Sequence, residues 1–461
     1  METYLEKLLS QIRCKKARPY IAEEIRDHIE CQIADNLSEG MSYEEAEKNA
    51  VTDMGDPVEV GISLDRIHKP KIAWKLLVIV GILSLLGILI QQSILRQPGY
   101  QELEIRMQER YRYAAEGFGA AVVIGLLLMC VIYFLDYTVI AKYSRLIGGA
   151  ILILGALRVA GFGGLDVDGI GNWIGFGRFK VSVTSLMMFY VPIYGAILYK
   201  YRNGGFTALC KALLWLILPV FITFRIPSLG VAVIMMVSML IELTAAIWKG
   251  WFQLPVKKTI IGVWLFFTAA PALLLTVKYA FHMLVPYQEA RIRSFFTASG
   301  DANYMTSMLH KFNENILLWG NSGKDVVGGL PEFNQDYIFS YILNSYGLLA
   351  GIFVAALLAA LIMFMFGASV RQKNELGMVM GFGCGMIILL NISLNFAGMF
   401  GWIPLTSTFL PFLSYGRNSI LLCYALVGII LSIYRYKDVY PKKFKASQVS
   451  LQKTITLNLN M

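Results

Sequence analysis

LLVIVGILSLLGILIQQSIL, residues 76–95, carries no charge from end to end, and it decides the solvent in which this chain folds. An α-helix rises 1.5 Å per residue, so about 20 apolar residues cross the roughly 30 Å of hydrocarbon in a bilayer. Comparable uncharged runs recur at Gly117–Leu135, Val181–Tyr199 and Thr259–Val277. Over the whole chain of 461 residues, 56% are hydrophobic and 16% charged, with a mean hydropathy of +0.57. The sequence therefore reads as all-α, a polytopic membrane protein.

The net charge of +10 could suggest a nucleic-acid partner, but its distribution argues against one. Residues 1–72 hold 10 Lys+Arg against 15 Asp+Glu, which leaves 31 against 16 for the apolar remainder. There the basic residues gather in short loops and tails, among them Lys142/Arg145, Lys200/Arg202, Lys249/Lys257/Lys258 and Arg371/Lys373. Such loops alternate with less basic ones, the pattern of cytoplasmic segments, so both termini are expected in the cytoplasm. Two of the six cysteines lie in the acidic head and four in hydrophobic runs, so no disulfide is expected. No cleavable leader is expected either, because the first apolar run follows some seventy residues rich in charge.

Residues 1–72 read as a small cytosolic helical domain. Tyr4, Leu5, Leu8, Leu9 and Ile12 recur at helical spacing, and Ser42 with Glu45 forms a capping-box signature closed by the MGDP of 54–57. This head resembles the prefix domain of permease-like proteins, a resemblance that implies protein interaction without naming a ligand. About ten spans follow over 73–434, near 74–95, 114–135, 144–160, 179–199, 207–224, 227–247, 259–282, 337–366, 376–399 and 412–434. An even count puts the long polar loop of about 283–336 outside the cytoplasm. The basic tail 435–461 reads as an anchor to anionic lipid.

Signatures of soluble enzymes are absent: there is no HExxH, CxxC or GxxxxGK[ST]. The glycine-rich GFGGLDVDGIGNWIGFG of 161–177 lies between two spans, not between a strand and a helix, which disfavours a dinucleotide loop.

The informative polar segment is GGLPEFNQDYIFSYILNSYGLLAG, residues 328–351, in which Asp336 stands at the mouth of an apolar helix. It is similar to the signature of the SEDS family (FtsW/RodA/SpoVE), close to LPEAHTDFIFAVIGEELGLLG. Leu330, Pro331, Glu332, Asp336, Ile338, Phe339, Ile342, Gly347, Leu348 and Leu349 match, with Tyr337 for Phe. NFAGMFGWIPLTSTFLPFLSYGRNS, 395–419, resembles the family's NIGMVLGLLPVTGIPLPFISYGGSS, and PYQEARIRSFF, 286–296, its PYQ..RI..F. The matches keep the family's order from about residue 170 to 434.

The resemblance implies a peptidoglycan glycosyltransferase that polymerises lipid II at the outer face of the bacterial cytoplasmic membrane, with Asp336 as general base. Such chemistry needs one, since the acceptor hydroxyl loses a proton as it attacks the donor's anomeric carbon. The departing pyrophosphate needs cations. Arg291 is the first candidate, with Lys324, Arg293 and Lys278 behind it, and a divalent cation, Mg or Mn, could share the task. Glu332, Ser414 and Tyr415 are further candidates for substrate binding, and a class B penicillin-binding transpeptidase is the implied partner. Blander readings stand beside these. Asp336 is also the expected N-cap of the helix beginning at Tyr337, Glu332 could bond to loop backbone, and Arg291 could snorkel to lipid headgroups. Arg158, Glu242 and Lys278 fall near enough to span ends to snorkel as well.

The sequence departs from the family at several places. Ser185 and Met188 stand where the family carries Glu and Lys, Ser228 replaces the acid of QPDxGT, and Arg417–Asn418 replaces a double glycine. None of these touches Asp336. Two rival functions remain, a flippase or transporter of the lipid-linked precursor and a non-catalytic scaffold. A transporter should carry ionisable groups near mid-bilayer.

Overall fold

The computed structural model describes residues 1–162, 164–167, 170–176, 179–226, 228–280, 304–403 and 407–442. These residues divide into two compact units.

The first unit comprises Met1–Ala73, Val370–Met378 and the chain from Ile433. Its head has four helices: α1 (Glu2–Ser10), α2 (Arg18–Ser38), α3 (Tyr43–Asp53) and α4 (Pro57–His68). Ser42 and Glu45 form the expected capping box, and Asp56 caps α4 ahead of Pro57. Leu5, Leu8, Ile12, Ile21, Ile29 and Ala50 fill the centre. Buried Asp65 receives the Arg13 guanidinium at 2.7 and 2.9 Å and the Arg13 amide at 2.9 Å, which holds its carboxyl below the usual carboxylate range. The described part of the basic tail packs within this unit. Lys16 sits 4.6 Å over the Tyr436 ring, Tyr20 meets Tyr440 edge-on, and Asp438 is held by Lys71 at 2.7 Å and Lys373 at 3.2 Å.

The second unit comprises Trp74–Ser369 and Val379–Ser432. In chain order its helices are α5 (Trp74–Ile94), α6 (Pro98–Gln101), α7 (Ile105–Phe134), α8 (Tyr137–Lys142), α9 (Ser144–Val159), α10 (Val183–Tyr199), α11 (Phe206–Arg225), α12 (Leu229–Trp248) and α13 (Val256–Ala280). They continue with α14 (Tyr304–Asn313), α15 (Val326–Gly329), α16 (Ile338–Tyr346) and α17 (Leu348–Val370), then α18 (Glu375–Met399) and α19 (Arg417–Arg435), with Val370 of α17, the first residues of α18 and the last of α19 counted in the first unit. Among the described residues seven are long and apolar enough to cross a membrane: α5, α7, α11, α12, α17, α18 and α19. The apolar windows of α18 and α19 are 78% and 72% buried against 28% for α17, so the former are core and the latter leaves most of its apolar surface uncovered by the described residues.

Three features depart from the sequence expectation. The span expected at 337–366 is broken at Gly347, whose φ of +90° suits a residue without Cβ. The glycine-rich segment between the spans expected at 144–160 and 179–199 forms a three-stranded antiparallel sheet, β1 (Gly164–Val167), β2 (Ile170–Phe176) and β3 (Phe179–Ser182), the last taking the start of the second expected span, with Trp173 opposite Ser182. Glu242, expected to snorkel, is wholly buried on α12.

Candidate functional site

The site is built from two distant pieces of chain, 330–337 and 407–417. In the first, Glu332 adopts φ +53°, and its carbonyl accepts the amides of Gln335 at 3.0 Å and Tyr337 at 3.2 Å. That tight turn brings three successive carbonyls round, two to face the second piece and the third to face Asn395 of α18. The Asn334 carbonyl accepts the Tyr415 amide at 2.8 Å, the Gln335 carbonyl the Ser414 hydroxyl at 2.7 Å, and the Asp336 carbonyl the Asn395 side-chain amide at 2.8 Å. Gln91 of α5 adds a clamp, its amide donating to the carbonyls of both Asn334 and Leu413 at 3.0 Å. A buried carbonyl left without a donor costs about 1–3 kcal/mol, so the four bonds fix the loop in register.

With its backbone held, Asp336 presents a half-buried carboxyl that is pushed up to about 7, first by burial and then by the negative charge of Glu332, against a lowering contact from the Ser407 hydroxyl. A carboxyl at that value is half ionised near neutrality, the range in which a general base serves best. The expected N-cap role falls away, because Tyr337 occupies the N-cap position of α16. Phe333, fully buried, braces the turn against Tyr111 of α7 at 5.1 Å and Tyr341 at 5.9 Å.

The other candidates separate by what their polar atoms already hold. Lys324, expected as a phosphate contact, is turned away: its ammonium donates to the carbonyls of Lys311, Phe312 and Glu314 at the end of α14. An ammonium has three protons, and three carbonyls take them, which is the behaviour of a helix C-cap. Ser414, expected to touch substrate, also accepts the Leu410 amide at 2.8 Å and is 2% exposed, so it stitches the two pieces together. Tyr415 contributes its amide to the same seam. Glu332 is exposed, and its carboxylate takes the Gln335 side-chain amide. Arg291 and Arg293 lie outside the described residues, as does the side chain of Lys278.

One cation was noted in the sequence only as a departure. Arg417 opens α19 directly after the seam, exposed, with its guanidinium 5.2 Å over the Tyr113 ring of α7. Hydrogen bonds to the Tyr113 and Tyr415 side chains also hold it, and a guanidinium has five N–H donors, more than those two contacts use. Gln91, Ser407, Tyr111 and Tyr113 were not singled out at all. A glutamine pair at the end of the apolar 76–95 run was the one available signal. Among the described residues no three His, Cys, Asp or Glu converge, so there is no closed protein cage for a metal. A divalent ion that takes most of its ligands from phosphates and water needs only one or two carboxylates, and Glu332 and Asp336 supply that number.

A family model described as "Cell cycle protein", covering FtsW, RodA and SpoVE, matches residues 73–439. The "Probable peptidoglycan glycosyltransferase FtsW" of Enterococcus hirae is 27% identical over 333 residues, 70% of this chain and 81% of its own length. The "Peptidoglycan glycosyltransferase MrdB" of Helicobacter pylori is 23% identical, covering 71% of this chain and 85% of its own. Among solved structures, a chain of a peptidoglycan synthase complex that coordinates polymerization and crosslinking superposes with a TM-score of 0.61, at 20% identity over 80% of this chain and 98% of that one. The rod shape determining protein RodA of Thermus thermophilus gives 0.54 at 18% identity, over 79% and 97%.

Proposed function

The chain belongs to the FtsW/RodA/SpoVE family of cell cycle proteins, and from that premise we propose that it is a peptidoglycan glycosyltransferase acting in the cytoplasmic membrane of a bacterium on a lipid-linked disaccharide. One observation carries this reading: three consecutive loop carbonyls are pinned by the second motif, and the carboxyl on the last of these residues, Asp336, is raised to about 7.

In the mechanism Asp336 is the general base. It takes the proton of the acceptor sugar hydroxyl as that oxygen attacks the anomeric carbon, and the lipid pyrophosphate departs from the opposite face with inversion. Arg417, held on Tyr113 two residues after Tyr415 of the seam, is the cation we assign to the developing phosphate charge, with Arg291, Arg293 and Lys278 as the remaining candidates. A divalent cation, when bound by Glu332 and the substrate phosphates, would add charge neutralisation at the leaving group. The basic short loops support cytoplasmic termini and an outward-facing Asp336. A transpeptidase of the penicillin-binding class is the natural partner, since polymer strands require crosslinking.

The test supplies purified full-length protein in lipid with fluorescent lipid-linked disaccharide and magnesium or manganese, with and without the transpeptidase. Wild type should make polymer, and Asp336→Asn should lose about 10²–10⁴-fold. Equal polymerisation by the variant, or none by wild type in either setting, overturns the reading. Glu242 stands inside the bundle, where a transporter would carry its coupling residue, so a translocation assay runs in parallel. Lipid movement without polymer would install the transporter reading instead.

A further inference from the structure

Glu242 of α12 is fully buried, and neither carboxylate oxygen has a hydrogen-bond partner among the described residues. Its place is made for it by two glycines on different helices. A Cβ added at Gly383 of α18 would lie 2.0 Å from Glu242 Oε1, and one at Gly195 of α10 would lie 2.8 Å away. One turn along α12, on the same face, buried Ser238 also has a hydroxyl without a partner. The titratable groups that face Glu242 are Tyr190 and Tyr194 of α10 and Cys384 of α18. Both tyrosines spend their protons elsewhere, on the carbonyls of Trp215 at 2.8 Å and Ala212 at 3.2 Å. Among the described residues no Lys or Arg pairs with the carboxylate.

The orphans continue along α18. Asn391 lies two turns beyond Gly383 and Asn395 one turn further, and in each the side-chain oxygen has no donor among the described residues. At 1.5 Å per residue the stripe runs about 18 Å from Gly383 to Asn395, the residue that holds the Asp336 carbonyl. Every unpartnered atom in the stripe is an oxygen. Water can serve an amide oxygen, but a carboxylate in hydrocarbon costs several kcal/mol unless it meets positive charge. We propose that Glu242 and Ser238 form an internal binding site for one small monovalent cation, a proton or an alkali ion such as sodium. Hard oxygen ligands suit either ion.

The test needs no polymerisation assay, so its failure is separate from any failure of the glycosyltransferase reading. Full-length protein in lipid vesicles is treated with dicyclohexylcarbodiimide, which attacks protonated carboxyls in apolar surroundings, and adducts are mapped by mass spectrometry. Glu242 should be modified at low pH in choline buffer. If the occupant is a proton, labelling falls about tenfold per pH unit above its midpoint. If it is sodium, labelling at fixed pH falls about tenfold once sodium exceeds its dissociation constant tenfold, and Ser238→Ala weakens that protection. Glu242→Gln, checked for folding by size exclusion and thermal melting, should show no adduct in the same peptide. Absence of labelling at every pH, or labelling indifferent to both pH and sodium, overturns the proposal.

Discussion

Burial and the neighbouring Glu332 charge raise the Asp336 carboxyl to about 7, and a general base works only when ionised. The rate of polymerisation should therefore climb as pH rises through about 7 and level off above it. Glu332→Gln removes a like charge, so the Asp336 carboxyl should fall and the rising limb of the pH–rate profile should move to lower pH. The displacement should be a fraction of a pH unit, because burial is the larger cause and Glu332 is solvent-exposed and screened. A profile that stays put, or moves upward, removes Glu332 from the account. Arg417→Ala should raise KM for the lipid-linked donor or lower kcat by about tenfold or more, as expected for loss of a charge-assisted phosphate contact. Lys324→Met, by contrast, should leave both constants near wild type while loosening the end of α14, since its ammonium serves three backbone carbonyls there.

At the scale of elements, the seam between 330–337 and 407–417 is the feature most exposed to mutation. Ser414→Ala strands the Gln335 carbonyl and the Leu410 amide together, a loss of about 1–3 kcal/mol for each buried group. Hydrogen exchange should then accelerate at the amides of 334–337, with a parallel fall in activity, while helices outside the seam exchange as before. Unchanged exchange in that loop would show that Ser414 does not hold it. The break between α16 and α17 is equally specific. At Gly347 an added Cβ would stand 2.8 Å from Trp319 Cα and 3.0 Å from the Leu317 carbonyl, backbone atoms that cannot swing aside. Strain at such a φ costs about 1–3 kcal/mol, so Gly347→Ala should lower the Tm in detergent.

For the whole molecule, the head and the described part of the tail form one unit through Asp438. Burial opposes its charge, but the hydrogen bonds from Lys71 and Lys373 prevail and hold its carboxyl below the ordinary value. A depressed carboxyl contributes stability that is present above the unfolded value, about 4, and is lost as pH falls through the folded one. Limited proteolysis of the 433–442 segment should accelerate below about pH 4, and Asp438→Asn should show the same sensitivity at neutral pH. Equal cleavage of variant and wild type at neutral pH would mean that the ion pairs do not secure the tail.

The sequence by itself determined what depends on local pattern. Uncharged runs such as 76–95 specify spans because crossing hydrocarbon requires little beyond length and apolarity. The capping box at Ser42 is a contact over three residues, and the motif around Asp336 is contiguous. What the sequence left open depends on contacts between residues far apart in the chain. Ser414 reaches the Gln335 carbonyl across 79 positions and Asn395 reaches Asp336 across 59, and no periodicity encodes which loop meets which. The same holds for Lys324, whose ammonium could have faced a substrate until α14 was folded beneath it, and for the glycine-rich sheet, whose strands gain their bonds only from each other. Glu242 is the sharpest case. By position it could snorkel, and only the packing of α10 and α18 around it decided that its carboxylate lies out of reach of water.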